Sequence, residues 1–449
     1  MTYAALNGLN VEAADIQNAY LTAPTSEKFY TTCGPDFGSE NIGKKAIVTR
    51  ALYGTKRVGR DFWNHLRDYM DHLGYFPCKA DNDLWIRVAK KNDGSDYYEY
   101  MLLYTDDCLC ISEHPRQALL KLDKYFKLKK ESLGPPKLVQ LPNGVVAWAL
   151  SASQYAQDAV KNVESYLKKN DMHWRKGTNA PLSNNCRPEC DTSDELGPQE
   201  SSYYASLIGV LRWQVSMMSS FVALPREGHL QQLFHIFAYL KAHHNARLVL
   251  DPSYPDIDAT TFENKNWKEF YGNTKEDIPK NVPRPLGKEL LIRCFVDADF
   301  AGDLLSRRSR SGFLVLLNMT PIYWLSKKQS TIETSSFGSE FCAMKLAYEC
   351  LRGLRYKLRM MGIPVENPCF IYGDNQSVLW NTTVPESKLK KKSSSVAYHS
   401  VREGVSRDEW RTTYVKSNKN PSDLLTKPVP VGINRYTKVR MVLYDIYPK

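Results

Sequence analysis

Residues 290–299 read LLIRCFVDAD, an apolar run broken by Arg293 and closing on Asp297 and Asp299. A run this short and this apolar reads as a buried strand. Downstream, GFLVLLN (312–318) and IYWLSKK (322–328) read as two further strands, followed by a long helix at about 336–362. CFIYGD (369–374), a basic helix-rich region and TTYVKS (412–417) complete the segment. Strands first, then helix and strand in alternation, imply an α/β domain with a mixed sheet. Four carboxylates stand in this frame. Asp297 ends the first strand, Asp374 ends a later one, Glu340 falls in the first turn of the long helix, and Asp423 sits in a loop within NPSDLLTK (420–427). Two divalent metals about 4 Å apart need several oxygen ligands converging from separate elements, and this spread supplies them.

A second acid set lies upstream. YEYMLLYTDDCLCIS (98–112) is apolar on both sides of Asp106 and Asp107, which places the two acids at the tip of a β-hairpin. Asp15 closes another apolar run, in VEAADIQNAY (11–20). Phe62, Leu66, Tyr69, Met70 and Leu73 recur at helical spacing, predicting a helix over roughly 59–73. The chain has 449 residues, enough for two to four domains, and its 43% apolar and 12% aromatic content is that of a globular protein. A net charge of +11 suits a polyanionic partner. Ten scattered cysteines lack zinc-finger spacing and read as reduced, so an intracellular setting, cytoplasmic or nuclear, is expected. No run approaches the length of a membrane span.

Between these regions ESLGPPKLVQLPNG (131–144) reads as a connector, with helices predicted over 154–168 and 228–241. Residues 170–201, with Cys186 and Cys190, read as an exposed loop, and 252–288 as a linker. His173, Trp174 and His235 read as packing or surface residues.

The motifs in order resemble the reverse transcriptase and RNase H region of the Pol polyprotein of copia-type LTR retrotransposons. AADIQNAYL (13–21), RALYGTKRVGRDFWNHL (50–66) and LLYTDD (102–107) are similar to its polymerase segments. SLIGVLRW (206–213) and HIFAYLKAHHNA (235–246) resemble its thumb-to-connection segment. VDADFAGD, RRSRSGF, YWLSKKQ, SSFGSEF, DNQS and NPSDLLTK follow in the order of its RNase H motifs. The resemblance implies an α/β and α+β multidomain chain. Residues 1–130 would be a palm-like domain without fingers and 131–285 a helical thumb/connection with linker. Residues 286–430 would be an RNase H-like mixed-sheet domain and 431–449 a C-terminal tail. It further implies that Asp15, Asp106 and Asp107 hold Mg²⁺ for polymerisation. Asp297, Glu340, Asp374 and Asp423 would hold a pair of Mg²⁺ ions, with Mn²⁺ as a substitute, that activates water against RNA in an RNA–DNA hybrid. RNA template and DNA primer are the implied partners. Tyr20 falls where such polymerases contact the 2′-position of the nucleotide, and equally reads as a strand aromatic. Arg57 brings charge near template or nucleotide. Lys388, Lys390, Lys391 and Lys392 suit contact with the hybrid backbone. Asp299, Asp303 and Glu333 stand off the ligand positions.

Departures from the pattern bear on the polymerase half. Only 14 residues precede Asp15, too few for the fingers, and the chain passes straight through 133–144 and 207–220, where relatives carry roughly ten residues more. Losing positioning elements lowers rate even when each ligand remains. The RNase H tetrad is whole. The expected activity is hybrid cleavage with polymerase ancestry, and the rival reading is a catalytically silent nucleic-acid-binding relic.

Overall fold

The computed structural model describes residues 1–129, 138–174, 178–183, 186–211, 216–262, 264–389 and 395–445. It divides into two compact units: Met1–Leu138 with Pro279–Glu289 and Arg355–Pro364, and Val139–Ile278 with Leu290–Leu354 and Val365–Lys449.

The first unit begins with α1 (Thr2–Leu6), β1 (Asn10–Asp15), α2 (Ala19–Thr22) and a small antiparallel pair, β2 (Tyr30–Thr32) and β3 (Lys45–Ile47). Helix α3 (Val58–His72) matches the periodic segment, and β4 (Phe76–Cys78), β5 (Asp81–Lys90), β6 (Asp96–Tyr104), β7 (Asp107–Ser112) and α4 (Pro115–Asp123) follow. The strands form one antiparallel sheet in the order β1-β7-β6-β5-β4. Phe62, Leu66 and Met70 repeat every four residues on α3, so one face of the helix carries all three. That face packs in one core with Trp85, Met101, Cys110 and the Leu119 and Leu122 side chains of α4.

In the second unit β8 (Leu138–Gln140) and β9 (Val146–Ser151) precede α5 (Ser153–Lys169), α6 (Pro198–Leu211) and α7 (Glu227–His243), and β10 (Arg247–Leu250) closes a three-stranded sheet. The three helices share a core of Val160, Val163, Leu167, Tyr204, Leu207, Leu233 and Phe237. The exposed loop expected over 170–201 is a partial misreading. Cys186 is buried, Pro188–Cys190 forms a helical turn, and α6 starts inside it. The linker expected over 252–288 also holds anchored residues. It carries α8 (Lys268–Tyr271), Trp267 is buried, and Phe262 packs edge-on against Phe370 and Tyr372 at 4.9 and 5.2 Å. Two large aromatics in a polar stretch show no period, so sequence pattern missed them.

Strands β11 (Ile292–Asp299), β12 (Arg310–Leu317) and β13 (Thr320–Lys328) run antiparallel. After α9 (Ser336–Met360), β14 (Cys369–Gly373) joins β11 in parallel. α10 (Gln376–Thr383) and α11 (Ser395–Ser406) lead to β15 (Trp410–Tyr414), parallel to β14. The sheet order is β13-β12-β11-β14-β15, the mixed sheet expected from the sequence. β11 lies at its centre and is buried along its length except at Asp299. Two short helices, α12 (Asp423–Thr426) and α13 (Ile433–Arg440), end the described chain. Asp423 therefore opens a helical turn and is not in a loop, and Glu340 stands five residues into α9, at the start of its second turn. Among the described residues no helix is long and apolar enough to cross a membrane.

Candidate active site

The site is built on the two neighbouring parallel strands β11 and β14. Asp297 projects from central β11, and Asp374 follows Gly373 at the end of β14. Asn375 then starts α10 by accepting a hydrogen bond from the Val378 amide at 3.2 Å, the arrangement that favours Asn before a helix. Asp423 reaches the same place through a tether. Fully buried Asn420 donates to the Val296 carbonyl at 2.9 Å and accepts from the Ser422 amide at 3.2 Å, pinning NPSD to β11. α12 can then lie close because Gly312 faces Asp297 across the β11–β12 ladder. A Cβ there would stand 2.6 Å from Thr426 Cγ2 and 2.9 Å from Leu425 Cβ, closer than side chains tolerate. The absent methyl leaves Thr426 Oγ1 free to donate to Asp297 Oδ2.

One oxygen each from Asp297, Asp374 and Asp423 lies within 4.8 Å of the others, and this is the one such group of three among the described residues. Two carboxylates at that spacing repel by roughly 3–4 kcal/mol at an effective dielectric near 20. Burial pushes the Asp297 carboxyl up to about 7, with Asp423 and Asp374 adding to the rise against the pull of Lys427. Glu340 stands beside the group, outside the 4.8 Å set. Burial first, then Asp297 and Asp374, hold its carboxyl well above the usual range. Asp423 goes the other way: burial opposes its ionisation, but Lys427 and Lys438 outweigh it and hold its carboxyl low. Asp374 accepts from Ser417 Oγ at 2.7 Å.

Sequence reasoning missed the cations. Lys427 Nζ lies 2.8 Å from Asp423 Oδ1 and 3.7 Å from Asp297 Oδ2, and Lys438 Nζ pairs with Asp423 Oδ2. The Asp423–Lys427 spacing of i,i+4 was a readable signal; nothing in the sequence pointed to Lys438 or Asn420. An all-oxygen donor set fits a hard divalent cation. The Lys427 ammonium places one positive charge against two of its carboxylates.

The upstream acids are arranged otherwise. Asp15 faces Asp107 in the β1–β7 register, and the Ile16 amide donates to the Asp106 carbonyl at 2.7 Å. The acids sit at a hairpin tip as expected, with Thr105 at φ 56°. Lys129 Nζ donates to Asp15 Oδ2 at 2.9 Å. Asp107 is exposed, and the three acids do not join as a metal-sized group. Tyr20 lies on α2, not a strand, 5.7 Å from the Phe62 ring and 4.7 Å from Tyr53, in the packing of the unit. Arg57 is exposed at the start of α3 and Lys388 is exposed; Lys390, Lys391 and Lys392 lie outside the described residues. Asp303 pairs with Lys328 and accepts from the Ser306 amide at 2.7 Å, and Glu333 accepts from Thr331. Asp299 ends β11 and lines a cleft with Arg187, Arg308 and Arg310. His235 donates to the Ala180 carbonyl at 3.0 Å, a packing role.

Fold and site thus define a mixed α/β, multidomain protein in which a central-sheet carboxylate cluster is the candidate centre. Over nearly its whole length the chain is similar to retrotransposon Pol polyproteins, as its motifs indicate. It is 24% identical to the Retrovirus-related Pol polyprotein from transposon RE1 of Arabidopsis thaliana over 438 aligned residues, 93% of this chain and 26% of that protein. It is also 24% identical to the one from transposon TNT 1-94 of Nicotiana tabacum, covering 96% and 30%. To the Transposon Ty1-BL Gag-Pol polyprotein of Saccharomyces cerevisiae it is 22% identical, covering 95% and 23%. The chain thus spans between a quarter and a third of the length of the first two relatives. No family model matches. An RNase H1 isolated from compost aligns at TM-score 0.25 and 16% identity over 30% of this chain and 92% of its own. A foamy viral protease-reverse transcriptase in complex with dsDNA aligns at 0.21 and 11% over 94% and 71%.

Proposed function

We propose that this chain is a reverse transcriptase/RNase H fragment whose second unit hydrolyses the RNA strand of RNA–DNA hybrids with Mg²⁺. The observation that carries the reading is the convergence of Asp297, Asp374 and Asp423 within 4.8 Å on the central sheet. Divalent metals, when bound, supply a water of lowered pKa and neutralise charge on the phosphodiester. Asp297, Asp374 and Asp423 would hold them, with Glu340 alongside. Ser417 and Thr426 fix the rotamers of Asp374 and Asp297, so the oxygens are set before substrate arrives. Arg187, Arg308 and Arg310, at the cleft beside Asp299, offer cations for the hybrid backbone. The palm, thumb/connection and RNase H division belongs to the same proposal.

For the first unit the favoured reading is polymerase ancestry, with hybrid cleavage by the second unit as the activity proposed for the chain. Asp15, Asp106 and Asp107 do not bring three oxygens within 4.8 Å of one another. The test is cleavage of a labelled RNA–DNA hybrid by the purified chain in Mg²⁺. Asp297→Asn and Asp374→Asn should each lower the rate by on the order of 10³ or more. Asp15→Asn should leave it unchanged. A folded protein that binds hybrid and never cuts it would leave the silent relic standing instead.

A further inference from the structure

Two lysines meet the acid cluster, and they meet it differently. Both pair with Asp423 but on opposite oxygens: Lys427 with Oδ1, Lys438 with Oδ2. Lys427 alone reaches a second acid, Asp297, and the charge of Asp374 also acts on it. Their settings differ as much. The Lys438 side chain, reaching from α13 to Asp423 of α12, is 4% exposed, whereas the Lys427 side chain is 43% exposed. Both lysines and Asp423 border an open cleft that runs along Pro428, Val431, Gly432 and Ile433, and the exposed Lys427 side chain has room to withdraw into it.

A metal-sized group of buried carboxylates cannot stay assembled uncompensated, since like charges in a desolvated site either separate or take up protons. Resting on the reading of this group as a metal site, we infer that Lys427 is an internal counter-ion. It holds Asp297 and Asp423 together in the metal-free protein and withdraws when a divalent cation enters, while Lys438 remains on Asp423 and positions it. Lys427 contacts one oxygen each of Asp297 and Asp423, so an ion held by these two acids would meet its charge, whereas Lys438 contacts the other oxygen of Asp423. Lys427 therefore competes with metal, and Lys438 supports it.

Mn²⁺ titrated calorimetrically into the full chain, freed of metal with EDTA, separates the two roles. Lys427→Gln should bind Mn²⁺ about tenfold more tightly than wild type, and Lys438→Met about 10–100-fold more weakly. Metal-free Lys427→Gln should melt below wild type, with the gap closing at saturating Mn²⁺. Lys427→Arg, which keeps the charge, should restore both wild-type values. Lys427→Gln that binds Mn²⁺ no more tightly than wild type and melts with it overturns the inference while the metal site stands. No Mn²⁺ binding by wild type or Lys427→Gln, with Asp297→Asn indistinguishable from both, overturns the metal site itself and the counter-ion role with it.

Discussion

Two acid sets occupy strand ends in this protein, and they differ in what surrounds them. Asp297 and Asp423 are buried, joined by Asp374, and crossed by lysine ammoniums and a threonine hydroxyl. Asp106 and Asp107 stand at a hairpin tip with Asp107 in solvent, and Asp15 meets Lys129 at a half-exposed position. The second set lies nearer solvent and brings no three oxygens within 4.8 Å, although Asp15 faces Asp107 across the ladder, whereas desolvation makes the first respond to each neighbouring charge. The lesson is that carboxylates become a site through the elements that press them together, not through their spacing along a chain.

The contrast can be broken at its most crowded point. Gly312→Ala drives a methyl into Thr426 and Leu425 and should cost about 1–3 kcal/mol, read as a drop in melting temperature together with lost Mn²⁺ affinity. Retained affinity would mean that α12 is not what brings Asp423 to Asp297. A smaller effect is expected at Asp303, in the cleft beside Asp299. Burial opposes ionisation at Asp303, but Lys328 and Ser306 outweigh it and hold its carboxyl at about 2, against an ordinary 3.8. A depressed folded-state value means the unfolded chain binds the proton first. This group therefore contributes stability above about pH 4 that is lost as pH falls toward 2. Asp303→Asn should flatten melting temperature against pH in that window and leave pH 7 metal binding unchanged. The smallest effect belongs to the hairpin set. Lys129→Gln removes a solvent-side partner of Asp15 and should leave melting temperature unmoved within error, where Lys427→Gln moves it. A comparable drop for both would erase the distinction drawn between the two sets.

Much of this was legible in the chain. The strand-to-strand-to-helix order of 290–362, helix α3 from its four-residue repeat, and the hairpin at Asp106–Asp107 follow from period and turn chemistry. The acids Asp297, Asp374 and Asp423 could be picked out because each closes an apolar run or sits in a motif of the resembled family. Asp423 was read into a loop because four helical residues are too few to show a period. The anchoring of Phe262 and Trp267 was illegible for a similar reason: isolated aromatics in a polar stretch reveal no partner.

By itself the sequence determined which groups were available: an oxygen-rich acid set, a basic chain and the elements that carry them. Which acids share a site was decided by tertiary structure alone. Gly312 clears the space, Asn420 ties the NPSD turn to β11, and Lys438, fifteen residues beyond Asp423, returns to hold it. Local pattern encodes burial and period, both properties of a few neighbouring residues. Convergence and the charge balance of a desolvated cluster depend on atoms brought together from β11, β14, α12 and α13, and no window on the chain contains them all.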